Sequence, residues 1–205
     1  MGGNSVLPAI NPMRLQRVAK PFDNPDYIFE LKHDGFRAIA YIEDGECRLV
    51  SRNLNQFKFV VLSQSLAKLP VKSAILDGKV VCLDGKGVSQ FNRLLGRRQE
   101  PVFYAFDLLW LNGEDLRRLP LIERKERLEK LVKKSRCQEI LYAQHIDTRG
   151  VLLFEAICTK DLEGIVAKRK NGIYKDDGKE WKKVKNPNYS QAVGRHELMK
   201  RKRVP

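Results

Sequence analysis

The stretch Tyr27-Ile28-Phe29-Glu30-Leu31-Lys32-His33-Asp34-Gly35-Phe36-Arg37-Ala38-Ile39-Ala40-Tyr41-Ile42 decides the fold class. Two runs rich in aromatic and β-branched residues, 27–31 and 36–42, flank Asp34-Gly35, whose residue types suit a tight turn. Working outward, Asp44-Gly45 marks a second turn before Cys47-Arg48-Leu49-Val50. Strands spaced this tightly predict hairpins and antiparallel pairing. Further strands are expected over 74–83, ending at Asp84-Gly85, over 102–111, ending at Asn112-Gly113, and over 163–169 and 181–185. A short helix is expected over 60–69, closed by Pro70. The clearest helix is 121–135, with Leu121, Leu128, Leu131 and Val132 on one face. Its exposed side offers Glu123 with Arg127, Glu126 with Lys130 and Glu129 with Lys133, all at i,i+4. Thr148 is a candidate N-cap for a helix reaching Lys160, although Gly150 weakens that helix. Strands outnumber helices and come in hairpins, so the expected class is α+β, antiparallel sheets flanked by helices.

The 205 residues carry 39 Lys+Arg against 25 Asp+Glu, a net +14, and 42% are hydrophobic. That length fits one domain, and the apolar content supports a core rather than a disordered chain. No run approaches the roughly 18 apolar residues of a membrane helix, and residues 1–20 lack the apolar block of a secretory signal. The charge is uneven: 166–205 holds 13 Lys/Arg and 4 Asp/Glu, net +9, which leaves +5 for the rest. A basic end implies either a polyanionic partner, nucleic acid being the commonest, or a solvated tail. Four cysteines without C-x-x-C spacing and three scattered histidines do not form a zinc pattern, and Cys82 and Cys158 read as small buried hydrophobes. The expected organisation is an N-terminal extension, 1–20, one domain over 21–186, and a basic tail, 187–205.

Two constellations carry chemistry. Lys32 stands at the end of one strand, with Arg37 at the start of the next. A lysine amine becomes a nucleophile when burial or neighbouring positive charge lowers its pKa. In Trp181-Lys182-Lys183-Val184-Lys185, period two puts Lys183 and Lys185 on one face, where two amines suggest a phosphate between them; the bland alternative is a solvated strand. The segment Leu76-Asp77-Gly78-Lys79 is echoed by Leu83-Asp84-Gly85-Lys86, the second copy reading as a hairpin turn.

The ordered series is more specific than any member. Lys32-His33-Asp34-Gly35-Phe36-Arg37 is followed by Ser51-Arg52-Asn53, Leu76-Asp77-Gly78, Phe103-Tyr104-Ala105-Phe106-Asp107-Leu108-Leu109, Glu163-Gly164-Ile165-Val166-Ala167-Lys168 and Trp181 to Lys185. Over Pro21 to Lys185 this resembles the covalent nucleotidyltransferases, the ATP-dependent DNA ligases, RNA ligases and mRNA capping enzymes. It is most similar to the ligase module of bacterial end-joining enzymes. The resemblance implies an ATP-grasp-like nucleotidyltransferase fold. It also implies a reaction in which Lys32 attacks the α-phosphate of ATP, forms a lysyl-adenylate, passes AMP to a DNA 5′-phosphate and lets the 3′-hydroxyl seal the strand. By the same resemblance Glu30 would hold the adenine, Arg37 would contact the ribose or the nick, and Phe106 would stack on the purine. Glu163 would bind Mg²⁺ or Mn²⁺, Lys183 and Lys185 would grip the α-phosphate, and Arg52 would bind the nick's 5′-phosphate. The implied substrate is nicked or broken double-stranded DNA, handled by a monomer in a bacterial cytoplasm, at the nucleoid and away from membranes.

Two departures modify that expectation. The family usually has glutamate at the position of Lys79, where it accepts hydrogen bonds from the ribose; an ammonium donates instead. Lys79 would thus lie in the nucleotide site and weaken adenylylation, and Lys79→Glu should restore it. The chain also ends 20 residues after Lys185, too short for the oligonucleotide-binding domain that usually follows. The expectation is a domain without that fold, helped by a protein partner supplying a DNA clamp or by Arg195, Lys200, Arg201, Lys202 and Arg203 on DNA phosphates. RNA ligase or GTP-using capping activity, and a DNA-binding pseudoenzyme, are the alternatives. Use of NAD is disfavoured because 31 residues before Lys32 leave little room for a nicotinamide-recognising domain.

Overall fold

The computed structural model describes residues 7–96, 99–175, 177 and 180–193. Two sheets face each other across a cleft. The first contains β1 (Gln16–Arg17), β11 (Trp181–Lys185), β10 (Gly164–Arg169), β2 (Tyr27–Leu31) and β9 (His145–Asp147), hydrogen-bonded in that order. The second runs β4 (Glu46–Ser51), β3 (Phe36–Glu43), β5 (Ser73–Val81), β6 (Val102–Leu111) and β7 (Glu114–Asp115), with β8 (Ile140–Tyr142) also on β6. Pairing is antiparallel except for β1 with β11 and β6 with β8. The helices α1 (Val60–Ala67), α2 (Phe91–Gly96), α3 (Leu121–Ser135) and α4 (Gly150–Thr159) cover the outer faces, as the α+β expectation requires.

Period two sorts the side chains into three cores. On β3, Ala38, Ala40 and Ile42 pack outward against Leu62 and Leu66 of α1, Phe91 of α2 and Leu128 of α3. Ile39 and Tyr41 of the same strand point inward, where Ile75, Leu109, Tyr174 and Trp181 join them between the sheets. Tyr27, Phe29, Ile165, Ala167 and Val184 form the third core, under Ile157 of α4.

The expected hairpin over 27–42 is not formed. β2 lies in the first sheet and β3 in the second, so residues 32–35 carry the chain from one sheet to the other. Leu31 pairs with Ile165 of β10, while Phe36 pairs with Val80 of β5. Gly35 makes the crossing possible: a Cβ there would stand 2.2 Å from the Val80 carbonyl oxygen. By contrast, β3 and β4 form the expected hairpin, with both Asp44 and Gly45 at positive φ. The second Leu-Asp-Gly-Lys copy is a turn, where Asp84 Oδ1 accepts from the Lys86 and Val88 amides.

Helix α3 keeps its expected bounds. Of its three ion pairs, Glu129 with Lys133 is made at 2.8 Å, whereas Arg127 reaches Glu114 instead. Thr148 does not cap α4. Its φ is +67°, and the Val151 amide donates to Asp23 Oδ1 at 2.9 Å. Residues 7–17, assigned by sequence to an extension, join the folded body: Leu7, Ile10 and Met13 are buried between the sheets and β1 pairs with β11. Beyond β11, Tyr189 is buried and donates to Asp34 Oδ2 at 2.9 Å. No helix among the described residues is long and apolar enough to cross a membrane.

Candidate functional site

The faces that the sheets turn toward each other carry the alternate residues not committed to the outer cores, the apolar ones buried in the inter-sheet core and the charged ones toward the cleft. From β11 these are Trp181, Lys183 and Lys185. Trp181 packs in the inter-sheet core, while Val184 lies in the opposite core and Lys182 stacks over Phe22 and Tyr27. From β5 the inward positions are Ile75, Asp77 and Lys79, and from β3 Arg37, Ile39 and Tyr41. Phe106 reaches the cleft through an irregularity: Asp77 pairs with Asp107 and Gly78 with Ala105, so Phe106 is the extra residue of a bulge.

Lys32 follows β2 directly, its amide donating to the Gly164 carbonyl at 2.9 Å. That bond places the lysine beside Glu163, whose Oε1 accepts from Lys32 Nζ in a partly buried ion pair. Gly164 has φ +142° and lies so close to Val184 that a Cβ would be 2.1 Å from its carbonyl oxygen. Lys79 reaches the same place from the second sheet. Its Nζ donates to the His33 carbonyl and stands 3.9 Å from Glu163 Oε2. Burial, followed by the Lys32 charge, pushes Lys79 down to about 7. His33 stacks on Tyr104 with centroids 3.8 Å apart, and burial together with Lys79 lowers it to about 4.

Two residues expected on the ligand are bound by partners from elsewhere in the chain. Arg37 forks onto Asp77, Nε to Oδ1 at 3.0 Å and Nη2 to Oδ2 at 2.5 Å, and also donates to the Met13 carbonyl. Burial alone would lower its pKa, but Asp77 outweighs burial and holds it protonated. Glu30 is 3% exposed, between Lys125 at 2.5 Å and Lys168 at 2.7 Å. Burial favours its neutral form, yet the two lysines together hold its carboxyl below the usual range. Both side chains therefore support the walls of the cleft.

Lys168 escaped attention in the sequence, although it closes the run from Glu163. Its Nζ lies 4.2 Å from the centroid of Phe106 and 4.3 Å from that of Trp181, beneath the aromatic wall. Asp107 with Arg124 was missed as well; both are fully buried, joined by bonds of 2.8 Å that tie α3 to β6. A buried Arg or Lys inside an amphipathic helix pattern was the available signal.

The end of the cleft at Lys183 is electropositive. Lys183 is lowered by partial burial and by Lys32, Lys185, Arg52 and Arg17, which converge from four segments. Lys185 and Arg52 are exposed there. Arg195, Lys200, Arg201, Lys202 and Arg203 lie outside the described residues. The site fits a nucleotide: an aromatic face, Phe106, stands in the same cleft as these cations. It does not fit a divalent cation at Glu163. The carboxylate already contacts one ammonium and faces another, and among the described residues no three His, Cys, Asp or Glu side chains gather to hold a metal.

Two facing sheets, a lysine at the crossing between them, an aromatic wall and a pair of strand lysines make up the candidate site. A family model described as the ATP dependent DNA ligase domain matches residues 11–185, and the chain belongs to that family. The multifunctional non-homologous end joining protein LigD of Pseudomonas aeruginosa is 31% identical over 192 residues, covering 90% of this chain and 23% of that protein. The SPbeta prophage-derived DNA ligase-like protein LigB of Bacillus subtilis is 29% identical over 194 residues, covering 90% of this chain and 70% of that protein. Among solved structures, a mycobacterial DNA ligase D complexed with ATP and MES superposes with a TM-score of 0.74 at 27% identity, covering 85% of this chain and 59% of that one. The chain thus spans about a quarter of the first of these relatives and most of the second.

Proposed function

We propose that this domain transfers adenylate from ATP, through Lys32, to a DNA 5′-phosphate so that the strand can be sealed. The observation that carries this reading is the convergence of Lys32, Lys183, Lys185, Arg17 and Arg52 at one end of a cleft whose wall includes Phe106. Cations in such number in a cleft are stable against one another chiefly when an anion joins them.

Lys183 and Lys185 would hold the α-phosphate, and Phe106 would present its face to the purine. Lys32 Nζ, once neutral, forms a bond to the α-phosphorus as the bond from that phosphorus to the bridging oxygen breaks; pyrophosphate leaves with the electron pair. The amine's proton departs through Glu163 or to solvent. Arg52 and Arg17, at the rim, would bind the DNA phosphate that receives AMP, and the 3′-hydroxyl would then displace AMP. Positioning and charge neutralisation carry these steps. Glu30 and Arg37, fixed by their ion pairs, would act by shaping the cleft. The chain's domain boundaries are proposed to enclose residues 7–192, with the basic tail beyond.

Incubation with α-labelled ATP, GTP or NAD tests the reading. Label from ATP is expected on wild type and none on Lys32→Ala; label from GTP would move the domain to the capping class, and no label with any donor would refute adenylyl transfer.

A further inference from the structure

We infer that the Lys79 side chain, built into the fold, occupies the place of a divalent cation beside Glu163, so that Lys32 adenylylation needs no metal ion at that carboxylate. The inference rests on the adenylyl-transfer reading and concerns which positive charge serves the reacting α-phosphate.

Lys79 belongs to β5 and Glu163 to the turn before β10, so the two come from opposite sheets and meet 3.9 Å apart. Lys79 also donates to the carbonyl of His33, the residue after the nucleophile, which fixes its Nζ relative to Lys32. The neighbouring charges on Lys79 are Lys32, Glu163, Asp34 and Arg37. With glutamate at position 79, as the family resemblance implies, two carboxylates would face each other. Such a pair repels unless a cation or a shared proton lies between them. With lysine there, the protonated Lys79 balances the Glu163 carboxylate without an added ion, and Glu163 also meets Lys32. A dication brought to Glu163 would meet the ammoniums of Lys32 and Lys79 beside that carboxylate, whereas hard cations take up six or more oxygens.

The chemistry balances without that ion. Lys32 Nζ forms the N–P bond, the bridging P–O bond breaks, pyrophosphate carries away the electron pair, and the amine gives up its proton. Negative charge growing on the α-phosphate oxygens is met by Lys79, Lys183 and Lys185, preset donors that need no reorganisation.

Two readouts test it. Electron paramagnetic resonance of Mn²⁺ with ATP-free protein should show no tight site in wild type or Lys79→Met, and one site in Lys79→Glu. In parallel, label from α-labelled ATP is followed with and without chelator. Removing divalent ions should slow wild type by less than about tenfold and Lys79→Glu by more than about a hundredfold. Lys79→Met, of similar length and without charge, should lose at least about tenfold of the metal-free rate. Equal Mn²⁺ binding by wild type and Lys79→Glu, or equal sensitivity to chelator, would overturn the inference. Should no protein take label, the adenylyl-transfer reading falls, and the Mn²⁺ titration still decides which cation Glu163 holds. Should Lys79→Glu fail to fold, judged by circular dichroism, tight Mn²⁺ binding by wild type or an unchanged metal-free rate in Lys79→Met would overturn it, and their opposites would support it.

Discussion

The Arg37 guanidinium and the Asp77 carboxylate meet face to face between the sheets, with Tyr174 donating to the same Asp77 Oδ2 at 2.7 Å. Asp77 is fully buried. Removing one member of a buried, hydrogen-bonded ion pair leaves a desolvated charge, which costs about 3–5 kcal/mol, whereas losing the Tyr174 hydroxyl, which donates to that carboxylate and accepts from the Met13 amide, costs about 1.5–3 kcal/mol. Asp77→Ala should therefore destabilise the domain more than Tyr174→Phe in urea denaturation. Equal effects would show that Arg37 finds its main partner elsewhere.

Glu30 separates a structural from a ligand-binding role in the same way. Glu30→Gln replaces a carboxylate held by Lys125 and Lys168 with a neutral amide, leaving two buried ammoniums weakly paired. A loss of about 3 kcal/mol or more is expected in denaturant melts. If Glu30 instead served adenine alone, calorimetric ATP affinity would fall while the melting curve stayed in place.

Gly35 is required by contact. A methyl group at that position would press on the Val80 backbone oxygen, which cannot swing aside as a side-chain tip can. Gly35→Ala should cost about 1–3 kcal/mol and displace the crossing that carries Lys32. Thermal denaturation and Lys32 labelling should decline together; normal labelling with a normal melting temperature would show that the crossing is tolerant.

His33 makes stability depend on acid. Its folded pKa of about 4 lies below the ordinary 6.5, so between those values the unfolded chain binds more protons than the folded one. Stability is then unaffected by His33 above about pH 6.5 and is lost as pH falls toward 4, by about 3 kcal/mol in all. His33→Phe keeps an aromatic ring beside Tyr104 and should reduce the pH dependence of the denaturation midpoint across that window. An unchanged dependence would assign the acid sensitivity to other groups.

Much of the fold was legible because its signals are local. The 121–135 helix and the 102–111 and 181–185 strands have the expected bounds, since period and punctuation agree there. β1, β7, β8 and β9 escaped notice because two or three residues carry no period. The 27–42 hairpin was misread for a related reason. A Gly after an Asp permits a tight turn and an equally tight crossing between sheets, and Val80, 45 residues away, selects the second.

Local order along the chain was enough to single out Lys32 and the shared face of Lys183 and Lys185, which follow from residue type and backbone period over a few residues. The lysine at position 79 stood out only against the family resemblance. Folding decided which charges remain available to a ligand. Arg37 and Glu30 look as exposed in sequence as Lys183, yet their partners Asp77 and Lys125 stand 40 and 95 residues away. Ionic contacts form within about 3 Å and are indifferent to chain distance, so only packing the two sheets together separates the residues that line the cleft from those that hold it open.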